Sequence, residues 1–220
     1  MAEKALAPWN LTGNGYVILY WFKKEKLKNR CFLDDYLKES YLGGRGCVML
    51  VDYKSSKVGP YKELLFIPGK IRFEGQNLYT ISKIFVSTLD SVVNGRENWG
   101  IPKEHANFSW MSDKNTEQIG VEREGHEFFS ITMERIKFLF PFPITTALLP
   151  FPLVQTLNQK VYYTNFHGRG IGSFARIKEV KVDRDFFPGI DDHKPLLVIK
   201  VDNFKLTFPK ANIASYEGIS

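Results

Sequence analysis

Residues 94–107 read NGRENWGIPKEHAN, a Gly-Arg-Glu turn followed by a Gly-Ile-Pro bend that carries a lysine. Pro102 has a fixed φ and restricts the residue before it to extended geometry. Gly95 and Gly100 allow backbone conformations that other residues avoid. Lys103 follows the proline directly, so the bend holds this lysine in one direction and makes it a candidate functional residue.

A lysine on this bend can attack a carbonyl group only as the neutral amine. At an ordinary pKa near 10.4, only about one lysine in two thousand is neutral at pH 7. Burial among apolar groups lowers the pKa of an amine. Trp99 and Phe108 can supply such surroundings, so the sequence predicts a buried, uncharged Lys103.

The rest of the chain has mostly the periodicity of strands. Runs rich in β-branched and aromatic residues, separated by turn residues, occupy 15–22, 47–54, 61–73, 78–87, 106–111, 116–124, 126–136, 160–168, 173–183, 195–202 and 205–209. Helical patterns are confined to 30–42 and a short segment within 88–97. Many strands and few helices predict an antiparallel barrel or sandwich with a few flanking helices, in one domain over residues 1–220.

Composition narrows the class of partner. The net charge of +6 is mild for 220 residues, and neither zinc-ligand spacing nor an RNA-binding aromatic signature is present, so no nucleic acid, metal or cofactor is expected. Two cysteines cannot form a disulfide framework, and the beginning of the sequence does not have the pattern of a signal peptide. A cytoplasmic location is therefore the prediction.

Residues 138–154, FLFPFPITTALLPFPLV, contain no charged side chain. Four prolines would break a membrane-spanning helix, so no membrane partner is expected. Three interpretations stay open: a buried connection on the core, a wall of an apolar pocket, or a subunit interface. An exposed apolar surface of this size favours a homo-oligomer.

Three segments carry a family resemblance. Gly95–Lys103 resembles the Gly-Arg-Glu-x-x-x-x-Pro-Lys segment of acetoacetate decarboxylases. Val58–Glu63, read as VGPYKE, is similar to the Gly-x-Tyr-x-Glu element of that family, and Phe208–Ala211 resembles its closing Leu-Pro-Arg-Ala strand. The resemblance covers roughly residues 15–213.

The resemblance implies a cone-shaped antiparallel β-barrel, flanking helices and assembly into oligomers. It also implies that Lys103 forms a Schiff base with a β-keto acid and that Glu63 is a carboxylate of the site. Arg96 and Glu97 match the signature and are expected to support the loop as an ion pair. The remaining residues expected to contact the ligand are Tyr61, Val48, Trp99 and Phe108.

Three positions depart from the family pattern. Glu104 replaces the second lysine that follows the nucleophile, and it is expected to support the loop or to face away from the site. An ungapped alignment puts Val48 where the family has a second carboxylate. Residues 14–16 lack the arginine that binds the substrate carboxylate. The pocket is therefore expected to take a less polar ligand than acetoacetate.

Three hypotheses follow. The first is a lyase that uses a Lys103 imine on a keto acid or related carbonyl compound, by decarboxylation or an aldol-type step. The second is an accessory protein that binds an apolar, carotenoid-like or lipid-like ligand on the same fold. The third is that Lys103 is a solvated loop residue without a chemical role.

Overall fold

The computed structural model describes residues 4–136, 141–147 and 151–215. In chain order the strands are β1 (Trp9–Phe22), β2 (Tyr41–Ser55), β3 (Tyr61–Ile67), β4 (Lys70–Phe73), β5 (Gln76–Tyr79), β6 (Lys83–Val86), β7 (Lys103–His105), β8 (Asn107–Asp113), β9 (Thr116–Arg123), β10 (His126–Arg135), β11 (Phe142–Thr145), β12 (Leu153–Leu157), β13 (Lys160–Thr164), β14 (His167–Val182), β15 (Leu197–Phe208) and β16 (Asn212–Ser215). The helices are α1 (Lys24–Leu27), α2 (Asp35–Lys38) and α3 (Leu89–Trp99), with a 3-10 turn at Ile190–Asp192. The predicted mainly β fold with few helices is confirmed.

The strands form one branched sheet. Its longest path runs β16-β13-β12-β5-β4-β2-β1-β15-β14-β10-β9-β8, and a branch leaves β2 through β3 and β6 to β7. Most pairs are antiparallel, but β6 with β7 and β5 with β12 are parallel. The chain passes from β7 to β8 through Ala106 alone, yet no ladder among the described strands joins the two ends of the sheet. A closed barrel is therefore not confirmed.

Side chains of β1, β2 and β3 alternate between two hydrophobic cores. The larger core includes Val48 and Leu64 and is completed by residues of β9, β10 and β14. The smaller core includes Cys47 and Leu65 and packs against Trp99 at the end of α3. Since successive strand residues point to opposite faces, the position of a residue along its strand decides which core it enters.

The predicted amphipathic helix over 30–42 is wrong for most of its length. Within this segment the helix is limited to α2, and Tyr41 already pairs with Ile71 in the sheet. Tyr41 is fully buried, and its hydroxyl donates a hydrogen bond to the Pro68 carbonyl at 2.7 Å. Short helices have little intrinsic stability, so burial of this aromatic residue in the sheet decides the local structure.

The short helix predicted within 88–97 is confirmed as α3 and is longer than expected. The side chain of Thr88 caps its first turn by accepting a hydrogen bond from the Ser91 N–H. Gly100 ends it in the left-handed region with φ 64°. The predicted Gly-Arg-Glu turn is wrong, because residues 95–97 belong to this helix.

The uncharged segment is only partly described, since residues 138–140 and 148–150 lie outside the described residues. The parts that are described contribute β11 and the start of β12. The helices in the described ranges are too short or too polar to cross a membrane.

Candidate active site

Lys103 lies at the start of β7, directly after the bend that ends α3. It pairs with Ile84 of β6, and only 3% of its surface is exposed. The guanidinium Nε of Arg96, one turn before the end of α3, donates a hydrogen bond to the Lys103 carbonyl at 2.9 Å. The helix end and the β6 ladder therefore fix the backbone of the lysine on both sides, and the solvated-lysine hypothesis is wrong.

The first turns of α3 make room for the lysine side chain. Ser91 and Gly95 are four residues apart on one face of the helix and are both buried. A Cβ atom at Gly95 would lie 2.6 Å from Cδ of Lys103 and 2.9 Å from its Cε. Glycine at this position thus allows the aliphatic part of Lys103 to pass directly against the helix backbone.

The Lys103 amine has three polar neighbours. Its Nζ lies 3.0 Å from Oε2 of Glu63, 3.0 Å from Oγ of Ser91 and 3.5 Å from the hydroxyl of Tyr61. An ammonium group has three N–H donors, so these contacts can satisfy all of them. Lys103 and Glu63, the two catalytic residues that the family resemblance implies, lie in direct contact. Ser91 is a further neighbour of the amine that sequence reasoning missed.

Two tyrosines complete the polar cluster. The Tyr53 hydroxyl donates to Oε1 of Glu63 at 3.1 Å, and the rings of Tyr53 and Tyr61 lie 4.5 Å apart. Burial raises the pKa of Tyr61 to about 12, although the Lys103 ammonium acts to lower it. Burial and the Glu63 carboxylate raise the pKa of Tyr53 well above its usual range. Both phenols are therefore protonated donors at neutral pH.

The charge of Lys103 differs from the prediction. Burial acts to lower the pKa of Lys103, but the carboxylate of Glu63 and the hydroxyl of Tyr61 act to raise it, and the net shift is upward. The apolar surroundings that were expected are present. The predicted uncharged amine is nevertheless wrong for the resting site, because Lys103 and Glu63 form a buried ion pair.

A cavity of about 60 Å³, partly open to solvent, lies beside the amine. It is lined by Trp9, Leu11, Met49, Tyr53, Tyr61, Glu63, Leu65, Ile67, Ile81, Ile84, Trp99, Ile101, Lys103, Leu153, Phe166, Leu206 and Phe208. Among these residues Lys103 and Glu63 are the only charged ones. We call this space the lysine cavity.

Two predicted ligand contacts lie elsewhere. Val48 is fully buried in the larger core, on the face of β2 opposite to the lysine cavity, which instead contacts Met49. Phe108 on β8 also packs against the larger core. Val48 and Phe108 therefore do not contact the lysine cavity, and these two predicted ligand contacts are wrong. Tyr61 and Trp99 do line the cavity.

The three residues expected to support the loop make different contacts. Arg96 donates its hydrogen bond to the Lys103 carbonyl and so supports the backbone there. Glu97 is exposed, and the predicted ion pair between it and Arg96 is absent from the described structure. Glu104 points away from the cavity and forms salt bridges with Lys83 at 2.6 Å and Arg123 at 2.8 Å. Its carboxylate is therefore neutralised outside the site.

Segments near both ends of the described chain form hydrogen bonds with α3. The backbone N–H of Ala5 donates to the side chain of Asn94 at 2.7 Å, and that of Ala7 donates to Asn98 at 2.8 Å. At the other end, Trp99 Nε1 donates to the Pro209 carbonyl at 2.6 Å. The segment Phe208–Ala211 thus packs beside the lysine motif, although it lies more than a hundred residues away in the chain.

A known protein family matches most of the chain. The acetoacetate decarboxylase family profile matches residues 2–137, which is more than half of the chain. No curated protein sequence matches the chain.

Solved structures share the fold at low sequence identity. An acetoacetate decarboxylase from Legionella pneumophila is 15% identical with a TM-score of 0.73, and the alignment covers 96% of this chain and 88% of that one. An acetoacetate decarboxylase-like enzyme from Sphingomonas wittichii is 10% identical with a TM-score of 0.64, covering 96% and 94%. The enduracididine biosynthesis enzyme MppR, in complex with pyruvate, is 13% identical with a TM-score of 0.62, covering 95% and 91%. Because the family profile matches more than half of the chain, the chain belongs to the acetoacetate decarboxylase family.

Proposed function

We propose that the protein is a carbon–carbon lyase that binds a keto acid or related carbonyl compound as an imine on Lys103. The observation that carries this proposal is the buried Nζ of Lys103, 3.0 Å from Glu63 and facing an otherwise apolar cavity. A lysine that only carries charge at the surface requires neither burial, nor a neighbouring carboxylate, nor an apolar cavity. Family membership supports chemistry of the decarboxylase and lyase type.

Glu63 supplies the first step. The carboxylate accepts a proton from the Lys103 ammonium, which converts the ion pair into a neutral acid and a neutral amine. Entry of an apolar substrate favours this transfer, because a low-dielectric environment disfavours separated charges. The amine then attacks the carbonyl carbon, and loss of one water molecule gives the iminium.

The second step uses the iminium as an electron acceptor. When the bond between the α carbon and the leaving group breaks, its electron pair moves onto the iminium nitrogen and gives an enamine. In a decarboxylation the leaving group is carbon dioxide. In a retro-aldol step it is an aldehyde or ketone, and the Glu63 carboxylate, regenerated when water leaves, accepts the hydroxyl proton that is lost as the new carbonyl forms. Protonation of the enamine carbon and addition of water release the product and restore Lys103. The hydroxyls of Ser91 and Tyr61 lie 3.0 and 3.5 Å from Nζ, within reach of the oxygen of the carbinolamine that forms before the iminium.

The substrate is proposed to differ from acetoacetate. Lys103 is the only cation among the described residues that line its cavity, and the carboxylate of Glu104 is paired outside it. A small β-keto acid would therefore have no cation for its carboxylate beyond the lysine that must react. Loss of such a contact typically costs several kcal/mol of transition-state binding.

The test is reductive trapping of the imine. The protein is treated with borohydride in the presence of a panel of ketones, aldehydes and β-keto acids, and peptides are mapped by mass spectrometry. Lys200 is a matched internal control, because it is also buried and lies 2.6 Å from a carboxylate, that of Glu117. We expect a reduced adduct on Lys103 and none on Lys200, and we expect the adduct to disappear in Lys103→Met. Equal labelling of the two lysines, or no adduct across the panel, contradicts the proposal.

A second candidate function is binding of an apolar ligand without chemistry. It is favoured by the raised pKa of Lys103, whose burial is offset by the Glu63 carboxylate, and by the almost entirely apolar lining of the cavity. In this case Lys103→Met binds the ligand as well as the natural protein does. Lipid extracted from the purified protein and identified by mass spectrometry, unchanged in amount in Lys103→Met, would favour this function over the lyase.

A further inference from the structure

A second cavity, with polar walls, lies on the other face of the sheet from the lysine cavity. It has a volume of about 340 Å³ and is lined by Asn14, Asp52, Lys54, Lys62, Trp110, Ser112, Glu117 and Lys200. We call this space the polar cavity. None of its lining residues borders the lysine cavity, so the two spaces are separate. The volume of the polar cavity is in the range of small-molecule sites.

The positions of two lysines along their strands place this cavity at one end of the larger core. Lys62 lies two residues before Leu64 on β3, and Lys200 lies two residues after Val198 on β15; both apolar residues belong to the larger core. Since alternate residues of a strand share one face, both lysine side chains leave the sheet on the larger-core side. Glu63, the residue after Lys62, faces the lysine cavity on the opposite side.

The two carboxylates of the polar cavity already have donors. Oε1 of Glu117 accepts a hydrogen bond from Nζ of Lys200 at 2.6 Å, and its Oε2 accepts one from Nε1 of Trp110 at 2.7 Å. Oδ2 of Asp52 accepts a hydrogen bond from Lys54. A cation that entered the cavity would therefore have to compete with a lysine that is already in contact.

Ammonium donors, in contrast, remain unused. Lys200 is 4% exposed, and within the described chain Glu117 is the only oxygen acceptor of its amine. An ammonium group has three N–H donors, so two of them have no oxygen partner. Lys62 is half-buried, and its amine forms neither a hydrogen bond nor an ion pair with any described residue. The cavity therefore offers spare donors and positive charge rather than spare acceptors.

We propose that the polar cavity is a second binding site, for a small molecule that carries a carboxylate or phosphate group. The anionic oxygens accept hydrogen bonds from the ammonium groups of Lys200 and Lys62, and such charge-assisted bonds are stronger than neutral ones. The three lysines and two carboxylates of the cavity leave one positive charge in excess, which the anion neutralises. No covalent bond forms, and the site does not depend on imine chemistry at Lys103.

The experiment is calorimetric titration with malonate, inorganic phosphate and malonamide, the neutral counterpart of malonate, in Tris chloride of low ionic strength. We expect heat of binding from at least one of the two anions and none from malonamide. Binding of malonate alone assigns the site to carboxylic acids, and binding of phosphate alone assigns it to phosphate compounds. Lys103→Met should bind the anion as tightly as the natural protein does, because the lysine cavity is a separate space.

Two single variants should change the affinity in opposite directions. Lys62→Gln removes an ammonium without breaking an ion pair and should raise Kd about fivefold. Glu117→Gln removes the carboxylate that competes with the ligand for Lys200 and should lower Kd severalfold. Lys160→Gln is the matched control for Lys62→Gln, because it removes the same charge from an exposed strand residue outside the polar cavity, and it should leave Kd unchanged.

A double variant covers the case in which Glu117→Gln does not fold. Lys200→Met combined with Glu117→Gln leaves no unpaired buried charge and should raise Kd at least tenfold. Circular dichroism of each variant shows whether the fold is kept.

Four results would overturn the inference. The first is that neither anion gives heat of binding, and the second is that malonamide binds as tightly as malonate. The third is an equal loss of affinity in Lys62→Gln and Lys160→Gln, which would show attraction by the overall charge alone. The fourth is an affinity that is unchanged in the double variant or lost in Lys103→Met, which would place the anion elsewhere. Failure of imine capture at Lys103 would overturn the lyase proposal and leave this inference standing.

Discussion

Replacement of Glu63 by glutamine should destabilise the protein and make its stability rise with pH between pH 7 and 9. The carboxylate is 4% exposed and lies 3.0 Å from Nζ of Lys103, so the substitution leaves a buried ammonium without its counter-charge. Breaking such a pair costs about 3–5 kcal/mol. Releasing the proton instead costs about 4.6 kcal/mol at pH 7, from 1.36 kcal/mol for each unit below a pKa near 10.4. Whether the variant keeps an unpaired ammonium or releases its proton, it should lose a similar amount of unfolding free energy.

The sign of the pH dependence follows from the shift in pKa. In the natural protein the pKa of Lys103 is raised, mainly because the Glu63 carboxylate offsets burial, so the contribution of the pair is fully present below pH 10 and is lost only above the folded pKa. In Glu63→Gln burial dominates and lowers the pKa, so the unfolded chain binds one proton more than the folded chain. Stability of the variant should therefore rise by about 1.4 kcal/mol per pH unit between pH 7 and 9.

The assay is urea unfolding followed by circular dichroism at three pH values. For a chain of this length, the loss at neutral pH corresponds to a fall in Tm of roughly 6–20 °C. Glu63→Gln combined with Lys103→Met should recover much of the loss, because no buried charge remains. Glu117→Gln, at the other buried lysine, is the comparison for a pair in polar surroundings. A loss below about 1 kcal/mol with the natural pH dependence would refute a buried ion pair.

Three further predictions concern the segment that holds the lysine. Gly95→Ala should reduce imine capture at least tenfold while changing stability by no more than about 1 kcal/mol, since the new Cβ displaces Lys103 but alanine favours the helix; capture and urea unfolding are measured together, and unchanged capture contradicts the close packing. Arg96→Ala should lower stability by about 1 kcal/mol and capture severalfold, because the Lys103 carbonyl loses its donor. Gly100→Ala should cost about 1–2 kcal/mol, since φ is 64° and the Cβ would lie 2.5 Å from the Tyr162 ring; an unchanged Tm would exclude this strain.

The sequence predicted the elements that depend on local signals. Thr88 and Gly100 mark the ends of α3, and a helix between them places Ser91 and Gly95 on one face. That spacing was available from the sequence and could have identified Ser91 as a neighbour of the lysine. The pairing of Lys103 with Glu63 followed from family motifs, because no local pattern connects residues forty positions apart.

The errors have physical causes. Val48 was selected by an ungapped alignment, and an offset of a single residue on a strand moves the side chain to the opposite face and into the other core. The pKa of Lys103 is raised because a carboxylate lies 3.0 Å from the amine. The residues around the motif indicate only apolar surroundings, which by themselves would lower this pKa. The segment 30–42 has helical periodicity, but pairing of Tyr41 in β2 requires contacts distant in sequence.

Two buried lysines in one chain show what distinguishes a reactive amine from a structural one. Lys103 and Lys200 are both nearly inaccessible, both are paired with a glutamate, and both lie over an aromatic ring, at 5.0 Å from Tyr61 and 4.4 Å from Tyr16. Burial and ion pairing therefore do not separate them. The two lysines differ in the cavity beside each amine. Lys103 faces a cavity lined mainly by hydrocarbon side chains, whereas Lys200 faces one lined mainly by polar and charged side chains.

This difference decides which pair can become neutral. Displacement of water by an apolar substrate removes the solvation of the Lys103–Glu63 ion pair and favours proton transfer to the carboxylate. The surroundings of Lys200 continue to stabilise its charged form when a ligand enters, because Asp52, Lys54 and Lys62 remain in contact with that cavity. An added apolar ketone should therefore increase reductive labelling of Lys103 with rising chain length and leave Lys200 unlabelled. Labelling that instead follows solvent exposure alone would show that the apolar cavity has no part in activating the amine.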